Sequence, residues 1–313
     1  DAVIYSVFVD RFADADPGNN CSVPGVANGA NWSGGDWKGV TQRLQAGYFR
    51  DLGVNTLLLT DVVDNFDGSG VGNDGRSYSA YHGYWPTALD RAEACLGSEA
   101  DLKALVDAAH QQGIKVLLDY AMVHVHESSA LYQQHPDWFW PLAFNGGDCV
   151  CSDNGACTWN AQGHRCWFTR YLPHWNFTNP AARAHSVGNV IDWVKRAGFD
   201  GIRADAIKHV DGSWLTELRA QLAAQVHAGQ SPRQRFYMVG ETYDFGNPGY
   251  LKSFIDPTTK LDGQFDFPLR RVLLQTTVRG AEPLWNLKDF MDGNDGFYGP
   301  DAVMSTWIGN HDI

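Results

Sequence analysis

Apolar and polar positions along the chain follow two periods, and they alternate. Residues 2–9 form a β-rich apolar run. Residues 36–52 place Val40, Leu44, Tyr48 and Leu52 at helical spacing and stop at Gly53. Residues 54–59, ending in Leu57-Leu58-Leu59, read as a buried strand run. Residues 98–112 open on Ser-x-x-Asp, carry Leu102, Leu105, Val106 and Ala109 on one face, and end at Gly113. A strand is expected at 115–119. Asn179-Pro180 then opens a helix bearing Val187, Val190, Ile191 and Val194, closed by Gly198. A strand at 202–205, a helix at about 213–227 and strands at 236–241, 264–267 and 304–308 complete the pattern.

Strand–helix alternation predicts a parallel sheet with helical crossovers. Seven strand candidates are legible in the pattern. A closed barrel of this kind has eight strands. Because the sequence stops at Ile313, the expected fold is an α/β, (β/α)8 TIM-type barrel truncated before its eighth strand. One interval breaks the rhythm. Between Asp119 and Asn179 lie about sixty residues with little periodicity, longer than an ordinary loop. The expected organisation is a barrel segment at 1–124, a small irregular disulfide-rich domain inserted at 125–177, and the rest of the barrel at 178–313.

Composition narrows the chemistry. The formal net charge of −12 argues against nucleic acid and anionic membranes as partners. No stretch of 18 apolar residues is present, so no membrane-spanning helix is expected. Twelve Trp and twelve Tyr suit a cleft that stacks sugar rings, although most single aromatics belong to cores. Six cysteines lie outside every expected helix and strand. Four of them, Cys149, Cys151, Cys157 and Cys166, crowd one Gly/Asn/Asp-rich stretch. Disulfides are the favoured reading and zinc the rival. The single residue between Cys149 and Cys151 is shorter than a zinc-knuckle spacing. Which of the 15 pairings forms stays open. Disulfides imply an oxidising compartment, so a secreted protein is the expectation, and a monomer is expected.

Three apolar runs end in a carboxylate: 199–205 at Asp205, 236–241 at Glu241 and 304–312 at Asp312. Acids at strand tips occupy the edge where α/β barrels carry chemistry. A glycosidic bond needs two of them, one anion beside C1 and one proton for the leaving oxygen. Arg203, two residues before Asp205, falls on the same sheet face, and its fixed charge is expected to hold Asp205 ionised.

These segments, with 119–124 (Asp-Tyr-Ala-Met-Val-His) and 81–85 (Tyr-His-Gly-Tyr-Trp), resemble in order those of the α-amylase family of glycoside hydrolases and transglycosylases. The resemblance spans the chain. It implies a (β/α)8 barrel and retaining chemistry on α-glucosidic bonds. It implies Asp205 as nucleophile, Glu241 as general acid/base and Asp312 as a third carboxylate gripping substrate hydroxyls. His124 and His311 would bind hydroxyls of the cleaved sugar, and Tyr84 would stack beneath it, within a substrate-binding set that includes His82 and Trp85. Lys208 and His209 would touch the leaving-group side. The implied partner is an α-glucan such as starch. The implied rivals are a transglycosylase and an inactive carbohydrate-binding barrel.

The resemblance also implies Ca²⁺. A site between barrel and insertion is expected to be lost, because Val123 stands where an Asn and His174 where an Asp is usual, and Val123 offers no oxygen from its side chain. A second pattern remains. Asp14, Asp16, Asn19, Asn20 and Asp36 side chains with the Gly34 carbonyl resemble the N-terminal calcium loop of cyclodextrin glycosyltransferases.

Overall fold

A computed structural model describes residues 2–72, 74–226, 236–294 and 296–310. Six strands form one parallel sheet: β1 (Ile4–Val7), β2 (Thr56–Leu59), β3 (Lys115–Tyr120), β4 (Gly201–Ala204), β5 (Tyr237–Gly240) and β6 (Gly263–Gln264). Their order in the sheet is their order in the sequence, which is the winding of a barrel. Most strands are short, four residues in β1, β2, β4 and β5, so each hands its chain to the tip after one pleat.

Helices cover the outer face. Helix α1 (Trp37–Gln45) starts at Asp36, whose side chain accepts the Gly39 N–H. Helix α2 (Glu99–Gln111) carries the capping box foreseen at Ser98, with Asp101 returning the bond. Helix α3 (Pro180–Ala197) is capped by Asn179 and stopped by left-handed Gly198. Helix α4 (Gly212–Gln225) is capped by Asp211, and His227 of the expected helix lies outside the described residues. Leu57, Leu59, Val116, Leu118, Ile202 and Met238 are fully buried together with Trp37, Leu102 and Val190 in one core. Each such side chain contributes roughly 2 kcal/mol of transfer free energy.

Two expected strands differ at this end of the sheet. The 264–267 strand stops at Gln264, because Asp266 caps a new helix, α5 (Phe267–Leu273), whose Pro268 suits its first turn. The 304–308 strand is reduced to one parallel bridge, Phe265 to Ser305. Backbone bonds from Val303 N to Asp262 O (2.8 Å) and from Ser305 N to Gln264 O (2.9 Å) still lay this segment beside β6. Gly263 is required there, since a Cβ would come within 1.8 Å of the Val303 carbonyl.

The interval 121–179 holds one short hairpin (Ala143–Phe144 with Gly147–Asp148), one short parallel pair (Cys151–Ser152 with Cys157–Thr158) and two of the three disulfides, Cys149–Cys157 and Cys151–Cys166. The third, Cys21–Cys95, closes a loop between residues 74 apart, worth about 4 kcal/mol in the chain-entropy view. All six cysteines are therefore paired, and none is left for zinc.

Candidate active site

Strand register builds the site. Arg203 of β4 lies opposite Asp119 of β3 and Val239 of β5, and Ala204 lies opposite Gly240. Asp205 and Glu241 are the next residues on these two strands, so they leave neighbouring tips side by side, at the ~4.8 Å spacing of adjacent strands. The turn after β4 ties them more closely. Ala206 has a left-handed backbone (φ 46°), a strained state for a residue with a Cβ. Its N–H donates to Glu241 Oε2 at 3.2 Å. The Ile207 N–H donates to the Glu241 carbonyl (2.9 Å), and the Glu241 N–H to the Ala204 carbonyl (2.9 Å). Glu241 is only 6% exposed.

Arg203 is the electrostatic centre. One guanidinium nitrogen, Nη1, donates to Asp119 Oδ1 (2.6 Å) and to Asp205 Oδ1 (2.7 Å). Burial alone would pull this guanidinium down. Asp119, Tyr84, Asp205 and Glu241 outweigh it and hold it well above its ordinary value. Tyr84 is half-buried and donates its hydroxyl to Asp119 Oδ2 (2.9 Å). Its own ionisation is pushed far up, by burial first and then by Asp119.

His124 donates from Nε2 to the Tyr84 carbonyl (2.8 Å), while its Nδ1 has no partner among the described residues. Burial lowers its pKa to about 4, so near neutrality the ring is uncharged and Nδ1 is a buried acceptor. His82 stacks on Tyr84 with ring centres 5.8 Å apart. Trp85 does not offer an open face. It is 7% exposed, and Tyr171 lies edge-on to its ring. Gly70 also lies so close that a Cβ there would come within 2.6 Å of the indole. Lys208 donates to the Tyr243 carbonyl (3.1 Å); burial lowers its pKa, and the Glu241 charge opposes that. His209 is buried, its Nδ1 on the Gly163 carbonyl (3.0 Å), so its ring is turned into the protein. His311 and Asp312 lie outside the described residues.

Asp119 was not among the expected site residues, although its signal was present: it too is an acid ending a buried apolar run. A cavity of about 480 Å³ lies on the inner face of the sheet, beneath Asp119 and Arg203. Tyr237, Phe265 and Trp307 line it, but neither Asp205 nor Glu241 does.

At the N-terminal loop the Asp36 carboxylate accepts the N–H groups of Ala15, Asp16 and Gly39. Asn20 donates to Asp14 Oδ2 (2.8 Å) and packs against Gly34, whose φ is +87°. Asn19 Oδ1 is buried without a partner among the described residues, as an oxygen awaiting a cation would be. Asp16 departs from the expected set: its carboxylate accepts from Lys38 Nζ (2.6 Å) and Gly18 N. Among the described residues no three Asp, Glu, His or Cys side chains converge as a metal cage. At the position between barrel and insertion, where calcium was expected to be lost, Val123 is buried, and both ring nitrogens of His174 face backbone carbonyls. The residues there do not fit a hard cation.

Buried titrating groups set an expected pH profile of stability. Burial lowers His124, His126 and His174 to about 4 and His209 to about 3, against an ordinary 6.5. Between those values only the unfolded chain takes up these protons, so stability rises with pH. Burial raises Asp61 to about 8 from 3.8 and Glu93 to about 7 from 4.5. Here the folded chain keeps protons that the unfolded chain has lost, and stability falls as pH rises through that window. Above about pH 6.5 the histidines no longer oppose this, because their unfolded forms are neutral. Urea unfolding from pH 5 to 9 should show a maximum near pH 6.5. Asp61→Asn should flatten the alkaline limb by about 1.4 kcal/mol per pH unit. An unchanged limb would remove Asp61 as its cause.

Residues 6–313 match the family profile described as "Alpha amylase, catalytic domain". Among curated proteins, the chain is 30% identical over 233 residues to a cyclomaltodextrin glucanotransferase of Geobacillus stearothermophilus, covering 70% of this chain and 32% of that protein. It is 26% identical over 329 residues to the enzyme of the same name from Bacillus sp. (strain 17-1), covering 99% of this chain and 44% of the relative. The chain thus spans less than half the length of these relatives. Among solved structures it superposes on the α-amylase of Geobacillus thermoleovorans complexed with acarbose (TM-score 0.78, 25% identity, 99% of this chain and 61% of that one). It also superposes on the γ-cyclodextrin glucanotransferase of Alkalophilic bacillus clarkii (TM-score 0.82, 22% identity, 100% and 46%), a likeness of fold.

Proposed function

Since the chain belongs to the α-amylase family of catalytic domains, we propose that it cleaves α-1,4-glucosidic bonds of starch, glycogen and malto-oligosaccharides with retention of configuration. The observation that supports this most is the tie between the two acids. Glu241 takes a hydrogen bond from the residue that follows Asp205, while Asp205 rests on Arg203. Asp205 attacks C1 as Glu241 gives its proton to the departing glycosidic oxygen, leaving a glycosyl ester on Asp205. Glu241 then takes a proton from water, the water oxygen attacks C1, and Asp205 is released as carboxylate. Asp312 and His311 complete the sugar grip in this reading. Tyr84 carries the sugar face, and His124 Nδ1 accepts a hydroxyl. Lys208 meets the leaving side.

The remaining assignments belong to the same proposal. Residues 125–177 are an inserted unit between barrel segments 1–124 and 178–313. The protein is a secreted monomer that binds neither nucleic acid nor membrane. Asp14, Asn19, Asn20, Asp36 and the Gly34 carbonyl hold Ca²⁺, with Asp16 joining if it leaves Lys38. The ion would supply charge that joins the loop to the start of α1. Asp14→Ala should then lower Tm in millimolar Ca²⁺ and leave it unchanged in chelator. An equal shift in both media would argue against metal at this loop.

Digestion of maltoheptaose tests the reaction. Short linear products released as α-anomers support the hydrolase. A second reading, transglycosylation, has the named relatives in its favour and would give cyclic or lengthened sugars. Products of β configuration would refute both.

A further inference from the structure

His174 is a buried ring between two segments that are otherwise separate in sequence. Its Nδ1 lies 2.7 Å from the carbonyl oxygen of Cys166 and its Nε2 3.0 Å from that of His209. Cys166 belongs to the disulfide-stapled stretch, and His209 ends the turn Ile207–His209 that follows Asp205. Two carbonyl oxygens aimed at one buried point repel each other and need a hydrogen or a cation between them. A calcium ion would need six to eight oxygens. Val123 brings none from its side chain, and the third group at this joint is the aromatic ring of Phe168, edge-on to both His174 and His209. The imidazole fills the gap instead. The neutral ring carries one N–H, which donates to one of the two carbonyls, and the ring itself fills the space between them.

We propose that His174 replaces a metal ion at this joint, as a hydrogen-bonded clamp holding the 149–166 stretch to the turn after β4. That turn carries Ala206, whose N–H binds Glu241, and Lys208. His174 is therefore a positioning residue for the acid/base and the leaving-group side. The joint has one further rung, the His209 Nδ1 bond to the Gly163 carbonyl, which the clamp keeps in register.

The test is hydrogen exchange of amides 160–175 and 205–210, in an Asp14→Ala background so that the N-terminal loop cannot contribute a calcium response. With His174 intact, protection of both segments should agree within two-fold between millimolar Ca²⁺ and chelator. Faster exchange in chelator would mean that a metal holds the joint and would overturn the proposal. His174→Ala should speed exchange of both segments together, ten-fold or more, and lower kcat/KM on maltoheptaose. His174→Gln, which keeps one N–H donor, should lose less on both counts. Unchanged protection in His174→Ala would also overturn the clamp. If that variant does not fold, the calcium and chelator comparison on the intact ring still decides. The exchange readout stands whichever glycoside the site cleaves, so failure of the clamp and failure of the proposed reaction are separable.

Discussion

Asp205→Asn is expected to lower turnover on maltoheptaose by several orders of magnitude while leaving the fold in place. An amide of the same size removes the nucleophilic oxygen anion and little else. Its carbonyl oxygen can still accept from Arg203 Nη1, which keeps its 2.6 Å bond to Asp119. The ion pair becomes a bond from a charged donor to a neutral acceptor, a loss of about 1 kcal/mol. The signature is thus a split: kcat collapses while the urea midpoint barely moves. Activity within ten-fold of wild type would take the nucleophile role away from Asp205. A collapse of both quantities would mean that Asp205 is chiefly a structural partner of Arg203.

The parts of this site that could be read in advance are those whose cause is local. Ser98-x-x-Asp101, Asn179-Pro180 and Gly198 each act within one helical turn, and each forms as the pattern predicted. Asp205 and Glu241 could be placed because an acid after a buried apolar run has only the strand tip to occupy. The same rule applied to Asp119 and Asp61, but an acid that ends a run does not reveal whether it meets substrate or a buried cation. What was not legible depends on the third dimension. His209 and Trp85 sit in motifs that resemble substrate contacts, yet tertiary packing turns one onto Gly163 and covers the other with Gly70 and Tyr171. The left-handed backbone of Ala206 has no sequence signal, since nothing about alanine favours it. The strand expected at 264–267 failed for a local reason that was available: Asp266-Phe267-Pro268 is a helix start, and the alternation Gln-Phe-Asp-Phe is too short to set a strand against it.

Arg203→Met is expected to be among the most destabilising single changes in the chain, and its cost should depend on pH in a telling way. Arg203 is 3% exposed and faces Asp119, also 3% exposed, across adjacent strands. Methionine fills much of the same volume but leaves the Asp119 carboxylate buried with, among the described residues, only the Tyr84 hydroxyl hydrogen-bonded to it. An uncompensated buried charge of this kind costs about 3–5 kcal/mol. In the variant the loss of the guanidinium disfavours the charged form of this carboxylate, so the cost is relieved where it takes up a proton. A raised carboxylate destabilises most at high pH, and that loss recedes as pH falls. The gap between variant and wild type in urea unfolding should therefore be widest near pH 8 and narrow toward pH 5. Arg203→Lys should recover part of it, because an ammonium restores the charge without the planar fork. Turnover should fall in both variants, since Asp205 loses the group that holds its position. A gap of the same size at pH 5 and pH 8 would assign the loss to packing, and Arg203 would no longer be the charge around which Asp119, Asp205 and Glu241 are arranged.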